Sequence, residues 1–398
     1  MKVLIVSQPA SDGVLRHVDL LCRYLLAQGV ELHLAYSGRN GRDQLHNLVA
    51  HVASHGGRTL DLDTGNAPQW ADVHAVRALH GLIREVRPDV IHGHSSKAGG
   101  LVRGLGLLGL QQPTFYTPHA YFRMHDRKNW KARLFHVAER WLGTVGTSIG
   151  MGPHEAAFAR DILKVPAARH LVIPAGIDTD EFCPVSPERK RQLREKFGIP
   201  MGVTLLGTVG RFSMQKDPQT MYAALARAFP QAPDLHFAHL GSGEFEPEID
   251  AMLEGQPAAA KITRVRYLAD SAQFYQMLDG FILTSRYEGL SYAAQEAFAC
   301  NLSAVLTDAP GNADLDIYGF SHITKAQPGD VESVTEAILH WYRTAESGVS
   351  PNHREVVLNH LSKDICNSRI LAAYQRAISG TDEPSQVSSA ESMSLRGC

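Results

Sequence analysis

Cysteine is scarce in this chain: five in 398 residues, at positions 22, 183, 300, 366 and 398. Their number is odd and none falls in a Cys-x-x-Cys spacing. This argues against a disulfide framework or a thiolate metal site and fits a reducing, cytoplasmic setting. Long apolar runs are missing too. Residues 101–110 come nearest, but the stretch is short and carries Arg103, so no membrane-spanning helix is predicted. The apolar run at residues 3–6 is too short for a secretory signal and reads as a first β-strand. Net charge is only −2, which leaves no global field to draw the protein onto nucleic acid or an anionic membrane. Membrane contact would need a local patch. No His-Glu-x-x-His occurs, and His92-Gly93-His94 alone is poor ground for zinc, so no metal centre is expected.

What is present is globular composition, 44% hydrophobic and 20% charged, with length enough for two domains. Short β-branched or Leu-rich runs alternate with amphipathic helical patterns, the mark of parallel α/β sheets. Strands are predicted at residues 3–6, 31–35, 90–92, 114–117, 144–147 and 171–173. The alternation restarts at 204–209, 236–240, 262–267, 281–284 and 303–306. Leu20, Leu21, Tyr24 and Leu25 predict a helix over 15–27, and similar patterns mark 331–342 and 365–378. Two rounds imply two doubly wound domains, residues 1–180 and 181–359. The join lies near residues 174–200, where Pro174, Gly176, Pro184, Pro187 and Pro200 punctuate a charged stretch. A C-terminal helix, about 360–379, is expected to pack back on the first domain. Residues 380–398 are polar and unpatterned and read as a disordered tail.

Open α/β sheets bind ligands beyond the carboxyl ends of their strands, and unusual residues collect there. After the strand at 204–209 come Gly210, Arg211, Lys216, Asp217 and Pro218. Asp217 is a good helix N-cap, with Pro218 at the first helical position. Two cations beside a helix N-terminus suit a diphosphate; two solvated loop cations fit the same residues equally well. After the strand at 281–284 the chain reads Ser285-Arg286-Tyr287-Glu288-Gly289-Leu290-Ser291, then a helix. Amides of Gly289, Leu290 and Ser291 would face a second anionic group. Glu296, in the second helical turn, would accept bonds from ribose hydroxyls and Glu288 from sugar hydroxyls. The blander alternative, an exposed helix with two surface glutamates, leaves the glycine turn unexplained.

Together these motifs resemble the retaining glycosyltransferases of family 4. Glu288 and Glu296 match the family's Glu-x7-Glu motif, and Arg211 and Lys216 its Gly-Arg…Lys motif. Ile173-Pro174-Ala175-Gly176-Ile177-Asp178 is similar to its segment leading into the second domain. Leu240-Gly241-Ser242-Gly243 is similar to its Gly-x-Gly turn. The resemblance implies the GT-B fold, two Rossmann-like domains facing across a cleft. It implies a nucleotide-diphosphate sugar, UDP-sugar favoured, as substrate, with no cofactor and no metal. Arg211, Lys216, Glu288 and His119 would be catalytic. Gly13, Gly241, Gly289, Leu290, Ser291 and Glu296 would bind the donor.

The first-domain segments 92–99 and 116–120 resemble those of family members that build bacterial surface polysaccharides. The resemblance puts His119 near the donor sugar and His94 on the cleft wall. His17 reads as a surface residue of the first helix. His94, Lys97 and Arg123 are acceptor-side candidates. From Arg123 to Arg140 the chain is basic and aromatic, with Phe122, Trp130, Leu134 and Phe135. This patch suits a glycan or polyprenyl-diphosphate-linked acceptor at the inner membrane face, or an ordinary solvated helix.

Gly104-x-Gly106-x-x-Gly109 matches a dinucleotide fingerprint literally but lies inside an apolar segment, not at a strand-to-helix turn. Asp61-x-Asp63, Asp178-x-Asp180 and Asp314-x-Asp316 match a metal-binding triplet at near-chance frequency. The family's glycine and proline after the glutamate helix are here Asn301-Leu302-Ser303; asparagine still permits a left-handed cap. Two other functions fit the same architecture: a UDP-sugar 2-epimerase, and a nucleotide-sugar-binding protein without catalysis. The first domain offers no convincing carboxylate set for the epimerase.

Overall fold

The computed structural model describes residues 1–8, 12–38, 43–65, 72–121, 124, 130–345 and 350–380. Arg123, Phe122 and the predicted tail at 381–398 lie outside the described residues.

Runs such as Val3-Leu4-Ile5-Val6 and Phe281-Ile282-Leu283 are buried, as strands covered on both faces of a parallel sheet must be. They build two sheets. The first comprises β1 (Lys2–Ser7), β2 (Glu31–Tyr36), β3 (Thr59–Asp61), β4 (Val90–His94), β5 (Thr114–Thr117), β6 (Thr147–Gly150) and β7 (His170–Val172). Their spatial order is β3-β2-β1-β4-β5-β6-β7. The second comprises β8 (Thr204–Val209), β9 (Leu235–Leu240), β10 (Ile262–Val265), β11 (Gly280–Leu283), β12 (Ser303–Thr307) and β13 (Ile323–Ala326). These lie in the order β10-β9-β8-β11-β12-β13. Every pairing is parallel; Ser7 lies opposite His94 and His94 opposite Thr117, so these carboxyl ends are level. Strand order reverses between β1 and β4 and between β8 and β11, where such sheets open a ligand crevice.

Some elements depart from the sequence prediction. The strand predicted at 144–147 begins only at Thr147. Thr144 and Val145 instead close the preceding helix, with amides bonded to the carbonyls of Trp141 and Leu142. The edge strands β3 and β13, three and four residues long, were not predicted. The apolar stretch at 101–110 is largely the helix Ser95–Leu107. Its Arg103 is buried, bonded to both oxygens of Glu139 at 3.0 and 2.9 Å and lying 3.7 Å from the Tyr116 ring centre. Asn301 takes φ +60°, a left-handed end to the helix Tyr292–Ala299.

Core membership shows where the chain changes domain. Ile173 packs with β1 and β2, whereas Ala175, Ile177 and Phe182 pack under the second sheet. Val357 and Leu361 belong to the second core, while Cys366, Ile370, Ala373 and Tyr374 of the helix Lys363–Ser379 belong to the first. The two crossings run side by side: the Ile177 amide donates to Leu361 O and the Lys363 amide to Ile177 O, both at 2.8 Å. Gly176 permits this approach, because a Cβ there would sit 2.5 Å from Lys363 Cα. Lys363 Nζ also binds Asp178 at 2.7 Å and Asp180 at 2.9 Å, so this acidic triplet serves the crossing. Among the described residues no helix is long and apolar enough to cross a membrane.

Candidate active site

On the second-domain side, three loops beyond β8, β11 and β12 interlock. Lys216 Nζ lies 2.6 Å from Glu288 Oε1, and Gln215 Nε2 donates to Glu288 Oε2 at 3.2 Å. The Ser285 hydroxyl donates to the same carboxylate. The Glu288 amide bonds to Pro310 O at 2.8 Å, and the Arg286 amide to Gln215 O at 2.8 Å. Gly311, at φ +85°, presses on this loop; a Cβ there would lie 1.9 Å from Gly289 O. Glu288 is thus a buried, clamped carboxylate, held by three side chains, rather than a free loop acceptor.

Arg211 and Lys216 differ. Lys216 is half-buried against Glu288, while Arg211 is exposed and its side chain makes no hydrogen bond or ion pair among the described residues. Gly241, at φ +148°, lets the β9 turn touch the Arg211 loop; a Cβ there would lie 2.0 Å from Gly210 O. Asp217 stands at the N-cap with Pro218 behind it, but its carboxylate makes no cap bond. Its φ of +49° is not the extended backbone that such a cap needs. Instead the buried carboxylate accepts from Thr220 Oγ1 at 2.8 Å and pairs with Arg286 Nε at 3.1 Å.

Ser291 caps the helix Tyr292–Ala299, its Oγ accepting from the Ala294 amide at 3.4 Å, and Leu290 is buried in the second core. The amides of Gly289, Leu290 and Ser291 make no hydrogen bond among the described residues. They stand at a helix N-terminus next to Glu288, which holds Lys216, an arrangement suited to phosphate oxygens. Glu296 is buried and already partnered. Tyr275 OH donates to it at 2.7 Å, and Arg16 Nη1 reaches it from the first domain at 2.9 Å. Burial pushes its carboxyl upward, against Arg16 and Tyr275, which favour the carboxylate.

Across the cleft, Gly13 belongs to the helix Asp12–Ala27, and a Cβ there would lie 3.4 Å from the Tyr292 ring. Its small size permits domain-to-domain contact. One turn on, Arg16 bridges Glu296 and, at 3.2 Å, Glu181, with its guanidinium 4.5 Å from the Phe182 ring centre. Burial alone would lower its pKa; Glu296 first, then Glu181, turn the net shift upward. The sequence analysis missed Arg16, since an arginine on a helix face is ordinary until its partner is known. The available signal was its place one turn beyond Gly13. His17 is a correction: it is buried, not on the surface, its ring centre 5.4 Å from that of His94 and 5.0 Å from that of His119.

His119 and Ala120 take φ of +53° and +79°, two successive left-handed residues without glycine. Such a turn persists only where its surroundings hold it. Glu155 does so: one oxygen accepts from the Ala120 amide at 2.8 Å, the other from the Met151 amide at 2.6 Å. Burial pushes this carboxyl up to about 7, although both backbone bonds favour the charged form. The turn faces the second domain, since a Cβ on Gly289 would lie 4.0 Å from Ala120 Cβ. His94 sits wholly buried behind His119, with Nδ1 and His119 Nε2 3.2 Å apart. Lys97 turns the other way and pairs with Asp72. Asp314, of another acidic triplet, also joins the domains. It accepts from the His154 amide at 3.1 Å and meets His154 Nδ1 at 2.5 Å, at the N-terminus of the helix Pro153–Asp161.

Comparison with known proteins bears on the family and the fold. Residues 11–181 match the model for Glycosyltransferase Family 4, and residues 203–344 that for Glycosyl transferases group 1. EpsD of Bacillus subtilis (strain 168), named as a glycosyltransferase, is 25% identical over 60% of this chain and 64% of its own length, under two thirds. The UDP-Gal:alpha-D-GlcNAc-diphosphoundecaprenol alpha-1,3-galactosyltransferase of Escherichia coli is 25% identical over 76% of each chain. The crystal structure of Anabaena HepE in complex with UDP-glucose superposes with a TM-score of 0.75 at 18% identity, covering 94% of this chain and 99% of that one. The chain belongs to the family 4 glycosyltransferases, enzymes of the GT-B fold that transfer sugar from a nucleotide sugar. Family membership decides for transfer over epimerisation.

Proposed function

We propose that this glycosyltransferase moves a hexose or N-acetylhexosamine from a UDP-sugar to a polyprenyl-diphosphate-linked acceptor, with retention, in surface-polysaccharide synthesis at the inner face of the membrane. The observation that carries the reading is the run of amides at Gly289, Leu290 and Ser291, unpaired among the described residues, next to the Lys216–Glu288 pair. Those amides take the distal phosphate of the diphosphate. Arg211 and Lys216 offset the charge that grows on it as the C1–O bond breaks, so side-chain cations do the work a metal does elsewhere. The acceptor oxygen attacks C1 from the face the phosphate leaves, and its proton passes to the departing phosphate oxygen.

Glu296 takes the ribose hydroxyls when Arg16 releases it; Glu288 positions Lys216 and reaches the sugar; His119 meets a sugar hydroxyl from the opposite wall. Gly241 keeps the Arg211 loop in place. The names of the Escherichia coli and Anabaena relatives support UDP and, for the first, the polyprenyl acceptor. A line of exposed Leu134, Val137 and Trp141 on the helix Trp130–Leu142, near exposed Leu107 and Leu108, supports contact with a lipid surface. Lys97 pairs with Asp72, so it is a weaker acceptor candidate than the exposed helix.

The test is transfer from UDP-sugars to an acetamido-sugar diphosphopolyprenol by purified protein. Product is expected only when acceptor is present. Lys216→Ala should lower kcat by about 100-fold or more with little change in KM, the scale for losing one donor to a developing charge. Near-normal kcat in a folded variant would remove Lys216 from the mechanism.

A further inference from the structure

Four histidines meet beneath the cleft, drawn from separate parts of the chain. His92 is fully used, with Nδ1 2.5 Å from Tyr374 OH and Nε2 2.8 Å from Thr117 Oγ1. Among the described residues, the other three have no carboxylate as a bonded partner. One ring nitrogen each of His17, His94 and His119 lies within 4.8 Å of the other two. Nε2 of His17 and Nε2 of His94 are buried without a hydrogen-bond partner among the described residues. A buried polar atom left unpaired costs about 1–3 kcal/mol, and this cluster contains two.

Three imidazoles crowded together can each offer one ring nitrogen to a cation. Four-coordinate zinc with bonds of about 2.0–2.1 Å has nitrogen–nitrogen edges of about 3.3 Å. His94 Nδ1 and His119 Nε2, hydrogen-bonded to each other at 3.2 Å, already stand at that spacing, and a cation taking both would replace that bond. A set of three imidazoles without thiolate or carboxylate suits zinc, cobalt, nickel or copper and not magnesium or calcium. His119 is the least buried of the three, and the turn that carries it faces the second domain.

We infer that His17, His94 and His119 form a three-imidazole site for a divalent cation of the zinc class, at the floor of the cleft. His94 and His17 are held by the packed ends of β4 and the first helix, and His119 by the turn that Glu155 fixes. A cation here takes the lone pair that His119 would offer a donor sugar. Loading therefore inhibits transfer, a consequence that rests on the role proposed above for His119.

The test uses the full chain, stripped of metal and titrated with Co2+ in the visible range. One equivalent should give the intense bands of four-coordinate cobalt, bleached by Zn2+. His17→Gln and His94→Gln should each weaken binding by more than the roughly 10–100-fold that loss of a supporting partner costs, whereas His55→Gln, on an exposed helix end, should bind as wild type does. Weak six-coordinate bands in the wild-type protein, or intense bands that survive His94→Gln, would overturn the site. Intense bands with undiminished transfer would uphold the site and overturn only the role of His119.

Discussion

Glu155 is the residue on which the strained His119-Ala120 turn depends, and its environment makes a pH signature. Its carboxyl rises from an ordinary 4.5 to about 7 because burial outweighs two backbone bonds. In that window the folded protein holds a proton that the unfolded chain has lost, so stability declines as pH rises. The full change is on the order of 3 kcal/mol. The stability of wild type relative to Glu155→Gln, measured by urea unfolding, should therefore fall from about pH 4.5 to about pH 7. A difference constant across that range would show that Glu155 is ionised throughout. Nothing in Pro153-His154-Glu155-Ala156 hints at this role. The left-handed turn it supports lies 35 residues away, and helical periodicity says nothing about so distant a backbone. Lys216 and Glu288 were legible, because strand-end position and residue type suffice to nominate them. Their mutual pairing was not, since it depends on how two loops cross.

Among elements, the helix Lys363–Ser379 does structural work across the domain boundary, packing back on the first domain as its spacing and position led one to expect. It closes the first core with Cys366, Ile370, Ala373 and Tyr374, although the second sheet precedes it in the chain. Its Tyr374 OH satisfies His92 directly behind the histidine cluster. Tyr374→Phe keeps the packing and leaves His92 Nδ1 unpaired in a buried site. Denaturant unfolding should show a loss of about 1–3 kcal/mol, and an unchanged midpoint would mean that His92 finds another partner. Long periodic elements such as this helix were readable from spacing. The short edge strands β3 and β13 were not, because three or four residues carry too little periodicity to stand out. Asp217 misled for a related reason: its residue type favours a cap, but tertiary contacts with Arg286 and Thr220 select a left-handed backbone.

For the whole molecule, the contacts between the two domains set how tightly they are held. Among the described residues, the polar contacts that join them besides the paired crossings include Arg16 with Glu296, and Asp314 with the N-terminus of the helix Pro153–Asp161. Asp314 is buried and fits so closely that a Cβ on Gly152 would lie 2.3 Å from its Oδ2. Asp314→Ala should leave both cores intact while freeing the His154 amide. Hydrogen exchange at His154 should rise by about tenfold or more, with strands β8 and β11 unchanged. Equal acceleration in both sheets would indicate global destabilisation instead of domain release.

The sequence by itself determined the two parallel sheets and nominated the strand-end residues proposed to hold the donor, because these follow from local periodicity, spacing and residue chemistry. Only the tertiary structure decided which groups are paired and which are left over. It turned Lys97 to Asp72, brought Arg16 to Glu296, buried His17 and gathered three histidines around two unpaired nitrogens. Each of those outcomes depends on contacts between segments far apart in the chain, and local pattern carries no information about distance across a cleft.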